Sequence, residues 1–592
     1  MHFRWITLVV WKTYEHLCFF GRRYKEAKSQ LENLQPANNP QMPSIAVLGL
    51  LALCSTVSAQ PVQDSHVPVI DLGYAKYQGA FNGSTNVTSF LGMRFAAAPI
   101  GELRWRAPQP PRNEYNKGIQ KAISQPPQCA QAMQGAASRN PFRLNTTSSG
   151  GGVVKRQAGG PAPTDTPISE DCLFINVQYP GTTIPKEKLP VLVYIHGGGY
   201  ILGGANLYDG SYLVEQSNQG AVIVVMQYRL GLFGFLAGDE VKKDGALNAG
   251  LLDQDYALRW VRNHISQFGG DPERVTLWGK SAGGGSVLQQ VIAHDGNTKP
   301  QLFRAAITSS PYLPAQYKYN AQIPKELYKQ VVDAVNCGNA RDTLACLRRA
   351  DTKPLQDINT KINEAGFFGT FTFVPVVDGK FIVQQPIEAM KQGKVNGERL
   401  YAVSNLNEGD MYVDNTTTPL SAGEFAAQLF PFLDDNTMAE IDHIYNPLGD
   451  PLQQNSLILG EATFICPNYH LMGAFKTPSY KAEFAVVPAG HLNDIPFCFP
   501  SAEILTPVNF NDTSFIDAFA QSFVSFACHL DPNVNMTESI ITPQWDAYLP
   551  GNVEMVFNKT LDSKPDIHPG ASDSGLLERC NFWKSINSIT NQ

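Results

Sequence analysis

The middle of this chain carries unbroken apolar runs. Residues 189–195 form one, residues 221–226 a second, and a third ends at Leu277. A strand with one wet face alternates apolar and polar side chains, so a continuous run of this length predicts a strand covered on both faces. Between the second and third runs, residues 253–265 set Tyr256, Ala257, Trp260, Val261 and Ile265 at the spacing of a helix. Strands alternating with helices predict the α/β class, with a large, mainly parallel central sheet flanked by helices. The stretch beyond residue 285 is longer and less regular, which predicts helical and loop insertions rather than a second domain. Residues 135–167 are rich in Gly, Ser, Pro, Thr and Asn with almost no apolar periodicity, and read as a flexible loop.

The N-terminal pattern is different. An apolar core at 45–53 is too short to span a bilayer and runs into small residues, Val57-Ser58-Ala59, where a signal peptidase would cut before Gln60. Met42 stands just ahead of it. The expected layout is an upstream extension at 1–41, a signal peptide at 42–59 and one catalytic domain at 60–592, and hence a secreted, extracellular protein. Seven Asn-x-Ser/Thr acceptors agree with that compartment: Asn82, Asn86, Asn145, Asn415, Asn511, Asn535 and Asn558. Loss of Cys18 and Cys54 would leave an even set of cysteines for an oxidising environment. Lys155-Arg156, inside the loop, is either a dibasic cleavage site or an uncut solvated pair. A net charge of -7 over 592 residues argues against nucleic acid as a partner. The polar C-terminal tail and the lack of a second long apolar run argue against membrane integration. The spacings Cys-x-x-Cys and His-x-x-x-His are missing, so no metal site is expected. The oligomeric state stays open.

Chemistry concentrates at Gly279-Lys280-Ser281-Ala282-Gly283, between an apolar strand and a small-residue stretch able to start a helix. Flanking glycines permit the sharp turn that lifts a serine hydroxyl above a sheet. His196-Gly197-Gly198-Gly199-Tyr200 ends the strand at Ile195, and its glycines can aim backbone N–H groups at an anion. Gly198, Gly199 and Ala282 are the expected oxyanion donors. A serine hydroxyl needs a base. His491, after the apolar 484–487, is the first candidate, with His443, His470 and His529 as rivals on local sequence. The partner carboxylate is Glu408 or its neighbour Asp410.

Further ordered blocks carry a resemblance. Phe90 to Ala96, Pro99 to Trp105, Ser169-Glu170-Asp171-Cys172-Leu173-Phe174, Tyr228 to Leu236, Asn248 to Gln254 and Phe268 to Pro272 all precede the serine block. In these the chain resembles the type-B carboxylesterases, the family of the cholinesterases and of some secreted fungal lipases. The resemblance implies the α/β-hydrolase fold with inserted segments around the active site. It also implies Ser281, Glu408 and His491 as the catalytic triad, a small-molecule ester substrate, and two-step acyl transfer that needs neither a metal nor an organic cofactor. It further implies disulfides Cys129–Cys172 and Cys337–Cys346. Cys466, Cys498, Cys528 and Cys580 keep three possible pairings. A peptidase on the same scaffold is separable only by substrate profiling. A non-catalytic adhesion relative would lack the triad that is filled here. Cholinesterases place a glutamate where this chain has Lys280. If Lys280 borders the site it repels a quaternary ammonium, and if it snorkels to solvent it does nothing. Between Cys129 and Cys172 only Met133, Phe142 and Leu144 are larger apolar groups in the first half, too few for an interfacial flap. That favours a soluble esterase over a triacylglycerol or sterol-ester lipase. Phe367, Phe368, Phe371 and Phe373 form either an aromatic wall of the pocket or plain core.

Overall fold

The computed structural model describes residues 67–143, 166–537 and 540–592, all within one unit, Pro61–Gln592. The expected extension and signal peptide, Asn145 and Lys155-Arg156 lie outside the described residues. In chain order the strands are β1 (Val69–Asp71), β2 (Lys76–Gln78), β3 (Ala80–Asn82), β4 (Val87–Arg94), β5 (Ile119–Lys121), β6 (Phe174–Pro180) and β7 (Leu189–Ile195). Then come β8 (Val222–Met226), β9 (Gly270–Lys280), β10 (Ala305–Ser309), β11 (Arg399–Asn405), β12 (Tyr480–Phe484), β13 (Val553–Lys559) and β14 (Pro565–Ala571). Eleven of them form one sheet in the order β14-β13-β12-β11-β10-β9-β7-β8-β6-β4-β3. From β13 to β8 each neighbouring pair is parallel, and the antiparallel pairs lie at the two ends. β1, β2 and β5 make a separate small sheet.

The apolar runs are continuous because both faces of the sheet are covered. Val191, Val193 and Ile195 of β7 face one core with Val222, Val224 and Met226 of β8. Leu192 and Tyr194, with Ile223 and Val225, face the other. The helices Ala249–His264 and Ala282–Gly296 cover the first face through Leu258, Val261, Val287 and Val291. The helix Thr513–His529 covers the second through Phe515, Phe519 and Phe523. Each large side chain taken fully out of water contributes about 1.5–3 kcal/mol, so this double layer makes the sheet a rigid platform.

Three expectations change. The strand before His491 is Tyr480–Phe484, and not the apolar 484–487. Its Lys481 is buried and paired with Glu554 at 3.1 Å, which hides a core strand behind a polar sequence. Of the loop 135–167, residues 135–137 are tied down: Gly135 N donates to Thr370 O, Ala136 N to Glu364 O and Ala137 N to Gly366 O. Disulfides join Cys129 to Cys172, Cys337 to Cys346 and Cys466 to Cys580, while Cys498 and Cys528 are buried thiols. The even set therefore does not pair off completely. Asn82, Asn86, Asn415, Asn511 and Asn535 are exposed and Asn558 is half-buried.

Candidate active site

Ser281 stands between the end of β9 and the helix Ala282–Gly296, with φ 60° and ψ -127°. A non-glycine residue at positive φ is held there by its surroundings. Ser281 N donates to Ser309 O at 2.9 Å, and Ser281 O accepts from Gly285 N and Tyr312 N. The glycines are there for space: a Cβ on Gly279 would lie 2.2 Å from Gly283 O, and one on Gly283 would lie 2.0 Å from Ile195 O.

The segment after β7 packs against this turn. A Cβ on Gly197 would stand 2.9 Å from that of Ser281. Gly198 has φ +112°, Gly199 has φ +59°, and the ring of Phe371 lies against the Cα of Gly199. His196 is buried, lies flat on Tyr228 (4.5 Å between centroids) and approaches Gly197 O through Nδ1. Burial pushes its pKa down to about 4, so its ring is neutral and structural near neutral pH.

Glu408 follows β11 and His491 follows β12, and the two loops are stitched together. Asn407 N donates to Ala489 O at 3.0 Å, and Asn405 Nδ2 donates to Gly490 O at 2.6 Å. Glu408 Oε2 lies 2.5 Å from His491 Nδ1, with both side chains removed from solvent. Glu408 Oε1 accepts from Asn405 N and from Ser310 Oγ. Burial pushes this carboxyl up, but Lys280 and then His491 outweigh it and hold it below the ordinary glutamate value. Burial likewise pushes the His491 imidazole down, and Glu408 only partly restores it.

The rivals stand elsewhere. Asp410 is exposed and accepts from Ser456 Oγ. His443 and His529 are exposed on helices. His470 is buried in the helix Cys466–Met472 with its pKa pushed down to about 3 by burial, then by Lys584 and Lys391.

Sequence reasoning missed Tyr412. Its ring meets His491 edge-on at 5.3 Å, and Phe464 covers the same imidazole at 4.2 Å. Burial drives the Tyr412 phenol far up, with the Ser281 side chain only weakly opposing it, while Nε2 of His491 has no hydrogen-bond partner. The position of Tyr412, four residues past the carboxylate, is the one signal that could have flagged it.

Lys280 corrects an expectation. It neither borders the pocket nor reaches water: it is 2% exposed and its ammonium lies 2.7 Å from Asp494 Oδ1. A buried ammonium needs a partner, and Asp494 removes any reason to snorkel. The aromatic quartet divides. Phe367 and Phe371 line a cavity of about 150 Å³ together with Phe142, Tyr312, Leu429 and Phe430, whereas Phe373 lines a separate one of about 40 Å³; Phe367 and Phe373 are at the same time buried core. Among the described residues no group of His, Cys, Asp and Glu could hold a metal, and no helix is long and apolar enough to cross a membrane.

A mostly parallel sheet with a serine on a strand–turn–helix elbow, and an acid and a histidine on loops after later strands, defines an α/β-hydrolase. The sequence model of the carboxylesterase family matches residues 66–583, and the chain belongs to that family. It is a carboxylic-ester hydrolase. It is 30% identical over 584 residues to Carboxylesterase patB of Aspergillus clavatus, covering 91% of this chain and 99% of the relative. It is 30% identical over 503 residues to Secreted triacylglycerol lipase LIP1 of Gibberella zeae, covering 79% and 82%. Among solved structures it superposes on EstA of Aspergillus niger with a TM-score of 0.75 at 30% identity, over 89% of this chain and 99% of that one.

Proposed function

We propose that Ser281, His491 and Glu408 form the triad of a secreted serine esterase that works through an acyl-enzyme. The observation that carries this is the pinned elbow at Ser281, with a buried Glu408–His491 pair on loops at the same end of the sheet. Ser281 Oγ turns to His491 Nε2, gives up its proton there and bonds to the ester carbonyl carbon. Glu408 holds Nδ1 and stabilises the imidazolium. The amides of Gly198, Gly199 and Ala282 receive the oxyanion, each donor supplying about 3–4 kcal/mol in the transition state. The C–O bond breaks, the alcohol leaves with the proton from Nε2, and water repeats the cycle to release the acid.

The apolar cavity beyond Phe371 suits an aliphatic or monoaromatic acyl group. The loop between the first disulfide's cysteines is poor in large apolar residues, which supports a soluble ester as substrate. The lipase among the relatives supports a second reading, hydrolysis of emulsified triacylglycerol, and its name together with the leader-like 42–59 supports secretion. A fluorophosphonate should label Ser281, and Ser281→Ala should fold normally and lose turnover. A folded Ser281→Ala protein that still hydrolyses ester would end the proposal. Rates on dissolved short esters should exceed those on emulsified long-chain triglyceride, and the reverse order selects the lipase reading.

A further inference from the structure

Behind Glu408 lies a second buried charge pair that the acyl-transfer cycle leaves unused. Lys280 Nζ reaches three groups: Asp494 Oδ1 at 2.7 Å, Ser310 Oγ at 2.6 Å and Asn405 Oδ1 at 3.1 Å. Two of them lead back to the triad. Ser310 Oγ donates to Glu408 Oε1 at 2.5 Å, and Asn405 donates its backbone N–H to the same oxygen at 2.6 Å. Asn405 Nδ2 also donates to Asp494 Oδ1 at 3.1 Å and to Gly490 O beside His491. We propose that Lys280 and Asp494 are positioning residues: a buried ion pair that, through Ser310 and Asn405, aims Glu408 at His491 and balances the charge facing the imidazole. The proposal rests on the acyl-enzyme reading above.

The charges explain why a pair is needed. Without Lys280, two buried carboxylates, Glu408 and Asp494, would face one imidazole, and like charges in a dry site resist joint ionisation. With it, Lys280 cancels Asp494 and leaves one negative charge for the imidazolium formed during the reaction. The groups around His491 are Glu408 and the Tyr412 phenol on the segment after β11, Lys280 at the end of β9, and Asp494 on its own segment. Cys498 lies beyond Asp494. Burial drives the phenol and the thiol far up, so both stay neutral. After burial itself, Glu408 raises the basicity of His491, Lys280 lowers it and Asp494 raises it.

The two members therefore push the imidazole in opposite directions, and that is the test. Lys280→Met, Asp494→Asn and the double variant are compared with wild type by kcat/KM against pH, using a short-chain ester followed by titration of the released acid. Lys280→Met should move the acid limb to higher pH and Asp494→Asn to lower pH, with the double variant between them. On the acid limb, at one fixed pH, the first variant loses activity and the second gains relative to its own plateau. The ratio of rates on cationic and neutral esters should stay unchanged in Lys280→Met, because the ammonium does not face substrate. Removing one buried partner can unfold a protein where removing both does not. If Lys280→Met fails to fold, the limb of the double variant must lie above that of Asp494→Asn. Limbs that stay put or move together in folded variants overturn the proposal. Fluorophosphonate labelling separates the two ideas: unlabelled Ser281 in the wild type sinks the acyl-enzyme reading, while labelled Ser281 with unmoved limbs sinks only the role of the pair.

Discussion

His491 was one of four histidines in comparable local sequence, and what separates it is a contact made across 83 residues of chain, with Glu408. The buried imidazole is held below its ordinary value, so the acid limb of the wild-type pH profile should lie below about 6.5, the reference for a free histidine. Tyr412 sets a second residue-level expectation. Its ring packs edge-on against His491, and Phe464 lies on the same imidazole. Tyr412→Phe keeps the ring and should retain kcat. Tyr412→Ala frees the imidazole to tilt and should lower kcat about 10- to 100-fold. Equal losses in both variants would show that the phenol, and not the packing, matters. Lys280 was visible in the sequence as a departure from the cholinesterase pattern, but its partner was not. Asp494 lies more than two hundred residues away in the chain, and nothing local announces which acid a buried ammonium will meet.

The elements were legible where their patterns were strong. β7 begins and ends where its apolar run does, and β8 and the helix over Ala249–His264 differ from their patterns only at the ends. β12 was displaced because Lys481 and Glu483 sit in a strand whose polarity is absorbed by Glu554 and neighbouring groups, so hydrophobicity pointed to the residues just after it. The elbow shows the converse: its glycines stand out in sequence, and the structure supplies the distances that require them. Gly283→Ala would drive a Cβ into Ile195 O at 2.0 Å and lever the helix Ala282–Gly296 away from β7. Overpacking against backbone costs about 3 kcal/mol, so chemical denaturation of this variant should show a lower midpoint and its activity should fall with it. An unchanged midpoint would mean that the helix shifts without strain.

In the molecule as a whole, the two buried cores do more than stabilise the sheet, because they enclose ionisable groups. His470 is kept neutral by burial, with a folded-state pKa of about 3. A depressed histidine binds its proton more readily when unfolded, so its contribution to stability declines as pH falls below about 6.5. His470→Gln should therefore show a shallower fall of Tm between about pH 7 and about pH 5 than the wild type. Parallel slopes would place the proton uptake elsewhere. The cysteines make a related point. Secretion and an even count pointed to full pairing, but Cys498 and Cys528 stay as thiols within the aromatic core on the second face of the sheet, where packing and not the number of sulfurs sets their state.

Residue types and their order along the chain were enough for the class, the family and the strand–turn–helix around Ser281, because strand burial and tight turns leave local patterns that do not depend on distant partners. The pairing of Cys466 with Cys580, the choice of Glu408 over Asp410, the aromatic clamp on His491 and the burial of Lys280 against Asp494 depend on groups far apart in sequence. Each needs a low-dielectric neighbourhood that exists only once the sheet has brought its loops together, and it is there that an ion pair or a stacked ring acquires its energy.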